Sequence, residues 1–384
     1  MHRRSVLLLL IAVGLLLTLG AVMLASTGEF AQDAHGKPYF FIKKQLFWIG
    51  VSSFVCLGVS FVDYHWWQKH CAWIYLLALL LLAACFAPVI GTKINGSHRW
   101  VRLGFGMFQP SELGKWAAIC VLSWWYSQED RVEREWIRGF FAPIALVCVL
   151  MFLIVIEVDV GSTALIGATL LILMLVAGAP WFFMAPIVAG GALLISAAIY
   201  AMPERMGRFM AFLHPEKYPA DAYQTQQGLI ALGSGGIAGL GLGNGRQKLL
   251  YLPFAHTDFI FPMVGEELGL AGTLGVVFLY ILFILAGVSI AVKARDRAGM
   301  LMGMGIVMII AMQAAVNLGV TTELLPNKGM PLPFISYGGS NLLFCMAGVG
   351  VLINIYRQGV SDQEEHQMEQ LEMAIKAERT VVKL

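Results

Sequence analysis

The chain has 384 residues, of which 58% are apolar and only 13% are Asp, Glu, Lys or Arg. Soluble globular domains carry about 25% charged residues, so a soluble surface is excluded and the composition is that of a polytopic membrane protein. A net charge of +2, with the basic residues scattered, excludes a nucleic-acid binder.

A membrane span needs about 20 mostly apolar residues. In chain order the expected spans are 6–25, 45–62, 72–90, 110–127, 140–157, 161–178, 182–202, 267–292, 299–320 and 340–356. The expected fold is therefore all-α, with about ten transmembrane helices and both termini on one side. The apolar run from Val6 to Ala25 follows Arg3 and Arg4 as a signal peptide would. It is too long for a typical signal core and long enough to span. The six cysteines, Cys56, Cys71, Cys85, Cys120, Cys148 and Cys345, lie in or beside apolar runs without a CxxC spacing, so neither a disulfide framework nor a metal site is expected.

With the N terminus inside, the inner segments carry Arg3, Arg4, Lys69, Arg131, Arg134, Arg138, Lys293, Arg295, Arg297 and Arg357. The shorter outer loops carry Lys37, Lys43, Lys44, Lys93, Arg99, Arg102 and Lys328. That bias has the sign expected for cytoplasmic termini.

The loop at 91–109 precedes span four, which opens with Gln109-Pro110-Ser111-Glu112 and continues to Lys115. The three-residue spacing puts Glu112 and Lys115 on one helix face. They are either a mutual ion pair fixing the span or the lining of a polar cavity. Asp159, between spans five and six, is placed to cap the next helix.

The connection 203–266 is the longest, and long loops are usually functional. It is expected as one large loop between spans seven and eight, carrying Arg205, Arg208, Lys217, Arg246 and Lys248. Its glycine run, GSGGIAGLGLGNG, follows no strand of a βαβ unit. Tight turns or close backbone approach explain it better than a dinucleotide site. Asp258 follows, flanked by Phe259, Ile260 and Phe261. Desolvation there would raise its pKa toward that of a general base. The plain alternative is a helix cap shared with Thr257. His256 is read as a packing residue. A second Gly/Pro-rich loop, 321–339, carries Lys328 and falls on the same face as 91–109 and 203–266. The three loops together form the expected composite site. The charged tail, 358–384, is expected as an inner-surface helix or a disordered segment and is assigned no chemistry.

Four segments in register resemble the FtsW/RodA/SpoVE (SEDS) family of bacterial cell-wall proteins, the division member FtsW more than RodA. They are NGSHRWVRLGFGMFQPSELGK (95–115), DVGST (159–163), the stretch from YQTQQ to EELGLAG (223–272) and NLGVTTELLPNKGMPLPFISYGGSN (317–341). Departures are Val158 where the family has proline, His214 before Pro215, Asn327 for threonine and Asn341 for serine. The resemblance covers about 5–356 and makes 1–357 one transmembrane domain.

The resemblance implies a peptidoglycan glycosyltransferase of the bacterial cytoplasmic membrane. Such an enzyme polymerises lipid II, a disaccharide-pentapeptide on undecaprenyl diphosphate, into a nascent glycan strand on the outer face. The family's loop aspartate maps onto Asp258, its Glu/Lys pair onto Glu112 and Lys115, its loop arginine onto Arg208 and its short-motif aspartate onto Asp159. Asp258 is then the expected base. Arg208, Lys248 and Lys328 are the expected diphosphate contacts, or a divalent cation (Mg or Mn) held partly by Asp258. The implied partners are a class B penicillin-binding protein (a transpeptidase) and other divisome or elongasome proteins. The rival readings are a lipid II flippase and a non-catalytic scaffold.

Overall fold

Inside a bilayer the backbone finds no water, so apolar runs satisfy their own N–H and C=O groups as helices. The computed structural model describes residues 2–27, 39–87, 90–94, 97–103, 106–128, 141–157, 159–179, 181–200, 202–249 and 251–381. Its helices are α1 (His2–Thr27), α2 (Phe40–Phe61), α3 (Tyr64–Lys69), α4 (Cys71–Ala84), α5 (Pro110–Ser127), α6 (Ala142–Ile156) and α7 (Val160–Val176). There follow α8 (Trp181–Tyr200), α9 (Pro203–Leu213), α10 (Pro219–Gly235), α11 (Ile260–Val292), α12 (Arg297–Thr321) and α13 (Gly339–Val381).

A helix stands at every interval read as a span. Of these, α1, α2, α11, α12 and the first half of α13 are long and apolar enough to cross a membrane, and α4, α6 and α7 are shorter apolar helices. Large side chains such as Phe54, Phe278 and Leu285 are exposed on their flanks, as lipid-facing residues must be. The protein is a multi-pass membrane protein.

The core sits in two parts. α1, α2, α11, α12 and α13 share one apolar cluster, with Phe283 and Phe334 fully buried in it. α4, α5, α6 and α7 share the second, around Leu82, Leu122 and Ile154. Helix α12 runs between the two; a Cβ on its Gly305 would stand 2.8 Å from Ile119 of α5 and 3.2 Å from Leu173 of α7. Small residues at such crossings let helix backbones approach closely where no hydrophobic effect drives them together.

Three expectations need correction. The all-α reading missed a small antiparallel sheet, β1 (Gly91–Ile94), β2 (Ser97–Leu103) and β3 (Gly106–Phe108), ordered β1-β2-β3. The connection 203–266 is not one open loop: α9 and α10 occupy its first half, each with proline at the helix start, where a missing N–H costs nothing. Helix α11 begins at Ile260 rather than 267. The tail is helical, α13 continuing as one helix to Val381.

Helix α11 is broken at Gly269, whose φ of 67° is left-handed. The glycine run packs into this break. A Cβ at Gly269 would lie 2.4 Å from the Gly239 nitrogen, and one at Gly239 would lie 2.3 Å from the Glu267 carbonyl. The Leu240 and Gly241 N–H groups donate to the Glu266 and Glu267 carbonyls, and Leu270 N–H donates to Gly236 O. Glycine therefore serves backbone-to-backbone contact here. At another corner of the bundle, His65 bridges Asp63 and Asp296 at 2.8 and 2.6 Å. Gln358 of α13 donates to Asp63, so three segments are tied together there.

Candidate active site

Asp258 sits on the irregular stretch just before α11, and the next loop holds that stretch in place. Ser336 Oγ donates to Thr257 O at 2.6 Å, and Tyr337 N–H donates to His256 O at 3.1 Å. From α12, the Asn317 amide donates to Asp258 O at 2.8 Å and to Met330 O at 2.6 Å. One turn away, Gln313 donates to Pro331 O at 3.0 Å. Phe254, Glu323 and Phe334 take left-handed backbone, with φ of 56°, 58° and 68°. Strain of this kind collects at functional sites. Asp258 does not cap α11, because Phe259 holds the cap position and no side chain bonds there.

The Asp258 carboxylate is half-buried and faces Gly329, where a Cβ would stand 2.6 Å from Oδ2. Burial pushes its pKa up to about 6, while Arg99 and Arg208 pull it down. The next residue back, Lys328, lies over Gly161 at the start of α7, where a Cβ would meet its Cε at 1.8 Å. Only glycine leaves room for that side chain. Burial pushes Lys328 down to about 8, against the pull of Asp159 and with repulsion from Arg205 and Arg99.

Asp159 is the α7 cap, accepting from Ser162 N–H at 3.2 Å and from Ser162 Oγ at 2.7 Å. Burial acts to raise its pKa, but Arg99, Lys328 and the Ser162 bonds outweigh that and hold it below the usual range. Glu157, at the end of α6, is fully buried. Arg208 also lines a recess with Phe212, Asp221, Thr225, Glu323 and Asn327.

Three other expected site residues are placed differently. Glu112 and Lys115 are a buried ion pair at 2.8 Å. Lys115 also donates to Gln313 Oε1 at 2.8 Å, and Asn341 lies 3.4 Å from both Glu112 oxygens. The pair thus reaches the Asp258 loop through Gln313 rather than through a contact of its own. Lys248 was expected at substrate. The structure commits it instead to an ion pair with Glu267 at 2.8 Å, only 5% exposed, with further bonds to Ser26 Oγ and Gly243 O. Leaving Glu267 unpaired at that depth would be costly, so Lys248 stays there.

The structure therefore brings Asp258, Asp159, Arg208 and Lys328 into one electrostatic cluster and adds Arg99, Arg205 and Glu157. Sequence reasoning had Arg99 and Arg205 only as loop charges. Among the described residues no group of three or more His, Cys, Asp or Glu could hold a metal ion. Asp258 has guanidinium groups for neighbours, so these residues alone do not compose a divalent-cation site.

The family model described as "Cell cycle protein", covering FtsW, RodA and SpoVE, matches residues 6–360. The chain belongs to the FtsW/RodA/SpoVE family. It is 37% identical over 354 residues to the probable peptidoglycan glycosyltransferase FtsW of Coxiella burnetii, covering 90% of this chain and 93% of that protein. It is 36% identical over 341 residues to the protein of the same name from Geobacter sp. M18, covering 88% and 92%. Its fold resembles a chain solved in "Structural coordination of polymerization and crosslinking by a peptidoglycan synthase complex". There the TM-score is 0.76 at 26% identity, covering 91% of this chain and 97% of the other. The charged cluster lies within the matched span; Arg99, Asp159, Asp258 and Lys328 fall in segments that carried the resemblance, and Glu157, Arg205 and Arg208 fall between them.

Proposed function

We propose that this FtsW/RodA/SpoVE protein is a peptidoglycan glycosyltransferase that polymerises lipid II in cell division, with Asp258 as general base. The observation that carries this is a half-buried carboxyl with a pKa near 6, coupled to arginines and set in a family whose relatives bear that activity in their names.

In the proposed reaction the acceptor sugar's 4-hydroxyl gives its proton to Asp258 as its oxygen bonds to the donor's anomeric carbon. The bond from that carbon to the diphosphate oxygen breaks, the configuration inverts, and the diphosphate leaves with the electron pair. A diphosphate needs no strong acid to depart, so one carboxylate base suffices. Positive charge set where negative charge develops lowers the barrier. Arg208 and Lys328 supply it, arginine as a bidentate fork and lysine as a point charge.

The proposed topology has ten spans, cytoplasmic termini and the Asp258 cluster on the outer face of the bacterial cytoplasmic membrane. Lipid tails would then stay between helices while the headgroup reacts. Crosslinking would come from a partner transpeptidase of the class B penicillin-binding type. A flippase would need an open polar lining, whereas Glu112 and Lys115 are closed on each other and on Gln313; this supports one-sided chemistry. The test is lipid II polymerisation by the purified protein, alone and with such a partner, in wild type and Asp258→Asn.

A further inference from the structure

The hairpin before α5 contains an irregularity at one residue. Thr92 of β1 faces Trp100 of β2, and Lys93 faces His98, so Arg99 stands opposite no residue of β1. Such a bulge re-aims a side chain and is a recurrent feature beside active sites. The hairpin is pinned on both sides of Arg99. Ser97 and Val101 are buried, Arg102 N–H donates to Ile90 O, and Gln109 N–H donates to Ser340 Oγ at 3.3 Å.

Arg99 acts electrostatically on Asp258, on Asp159 and Glu157 between α6 and α7, and on Lys328. No other cation is coupled to all four in this way among the described residues. Around it stand Arg205, Arg208 and Lys328, together with the carboxylates Asp159 and Asp258, and with Asp221 and Glu323 where Arg208 lines its recess. A diphosphate esterified at both ends is a dianion that offers two phosphates to Arg99, Arg208 and Lys328, whereas a monophosphate ester offers one.

We infer that Arg99 is a binding residue for the donor's diphosphate, delivered by the bulge to complement Arg208 and Lys328. The inference rests on the glycosyltransferase reading but names a residue and a ligand group that the reading does not require.

The test uses the full chain in nanodiscs, with undecaprenyl diphosphate and undecaprenyl phosphate as binding probes and lipid II as substrate. Wild type should bind the diphosphate more tightly than the monophosphate. Arg99→Gln should weaken diphosphate binding and raise KM for lipid II by roughly 10- to 100-fold, the range for a lost charge-assisted contact, with a smaller effect on kcat. Arg99→Lys keeps the charge and loses the fork, so it should fall between. It also supplies the readout should Arg99→Gln not fold. Arg102→Gln, an exposed change on the same strand, should stay within about twofold of wild type, which separates a specific contact from general loss of charge. Wild-type affinity and KM in a folded Arg99→Gln protein would overturn the inference, as would a fall in kcat alone. If wild type neither polymerises lipid II nor binds the diphosphate, the glycosyltransferase reading fails instead.

Discussion

Asp258 and Gly329 are in direct opposition: a Cβ on residue 329 would stand 2.6 Å from Asp258 Oδ2. The opposing atom is a carboxylate whose backbone carbonyl is fixed by Asn317, so the carboxylate would turn away. Misplacing a reacting group by about 1 Å can cost 10²-fold in rate. Gly329→Ala should therefore lower kcat by roughly 10- to 100-fold, with the thermal unfolding midpoint close to wild type. Steady-state polymerisation kinetics beside a melting curve check this.

The pH dependence has a definite sign. A general base works deprotonated, so kcat/KM should rise with pH through about 6, the Asp258 value, and level off above it. Arg208 lowers the Asp258 pKa. Its removal in Arg208→Gln should move the rising limb to higher pH, in addition to weakening substrate binding. A shift to lower pH would contradict the coupling.

Lys248 is expected to act on stability rather than on substrate. Lys248→Met leaves Glu267 buried without its cation, a loss of about 3–5 kcal/mol for a broken buried pair. The melting temperature should fall clearly, while KM of the protein that remains folded stays near wild type. Adding Glu267→Gln should recover part of the loss. A substrate contact would instead raise KM with melting unchanged.

Lys328 depends on Gly161. A Cβ there would occupy the space of the lysine's terminal carbon and nitrogen, a flexible end that can move. Gly161→Ala should displace the ammonium from Asp159 and raise KM for lipid II several-fold, on the order of 1 kcal/mol of lost charge–charge interaction. Lys328→Met should do more. Equal KM values in all three proteins would remove Lys328 from the diphosphate site.

The spans were legible because each is an apolar run of membrane length, and a helix stands at every expected interval. The small sheet was missed because its strands are short and lie in a segment read only for charge. Its one readable sign is Asn95-Gly96 between β1 and β2, the dipeptide favoured in tight hairpins. Helices α9 and α10 were hidden by polar residues, although Pro203 and Pro219 mark their starts. Asp258, Arg208, Lys328 and Asp159 were legible as sparse charges in or beside loops, and the structure couples them electrostatically. Arg99 was not, since a bulge depends on register between strands and leaves no local pattern. Lys248 was misplaced because a lysine that contacts substrate and one that neutralises a buried glutamate look alike until the glutamate's position is known.

The most direct test of the whole account is polymerisation of lipid II by purified Asp258→Asn protein with its partner, measured beside wild type at equal folded concentration. Removing a general base should cost about 10²- to 10⁴-fold, leaving little or no glycan strand while the melting temperature stays near wild type. Polymerisation at the wild-type rate by folded Asp258→Asn protein would contradict the account.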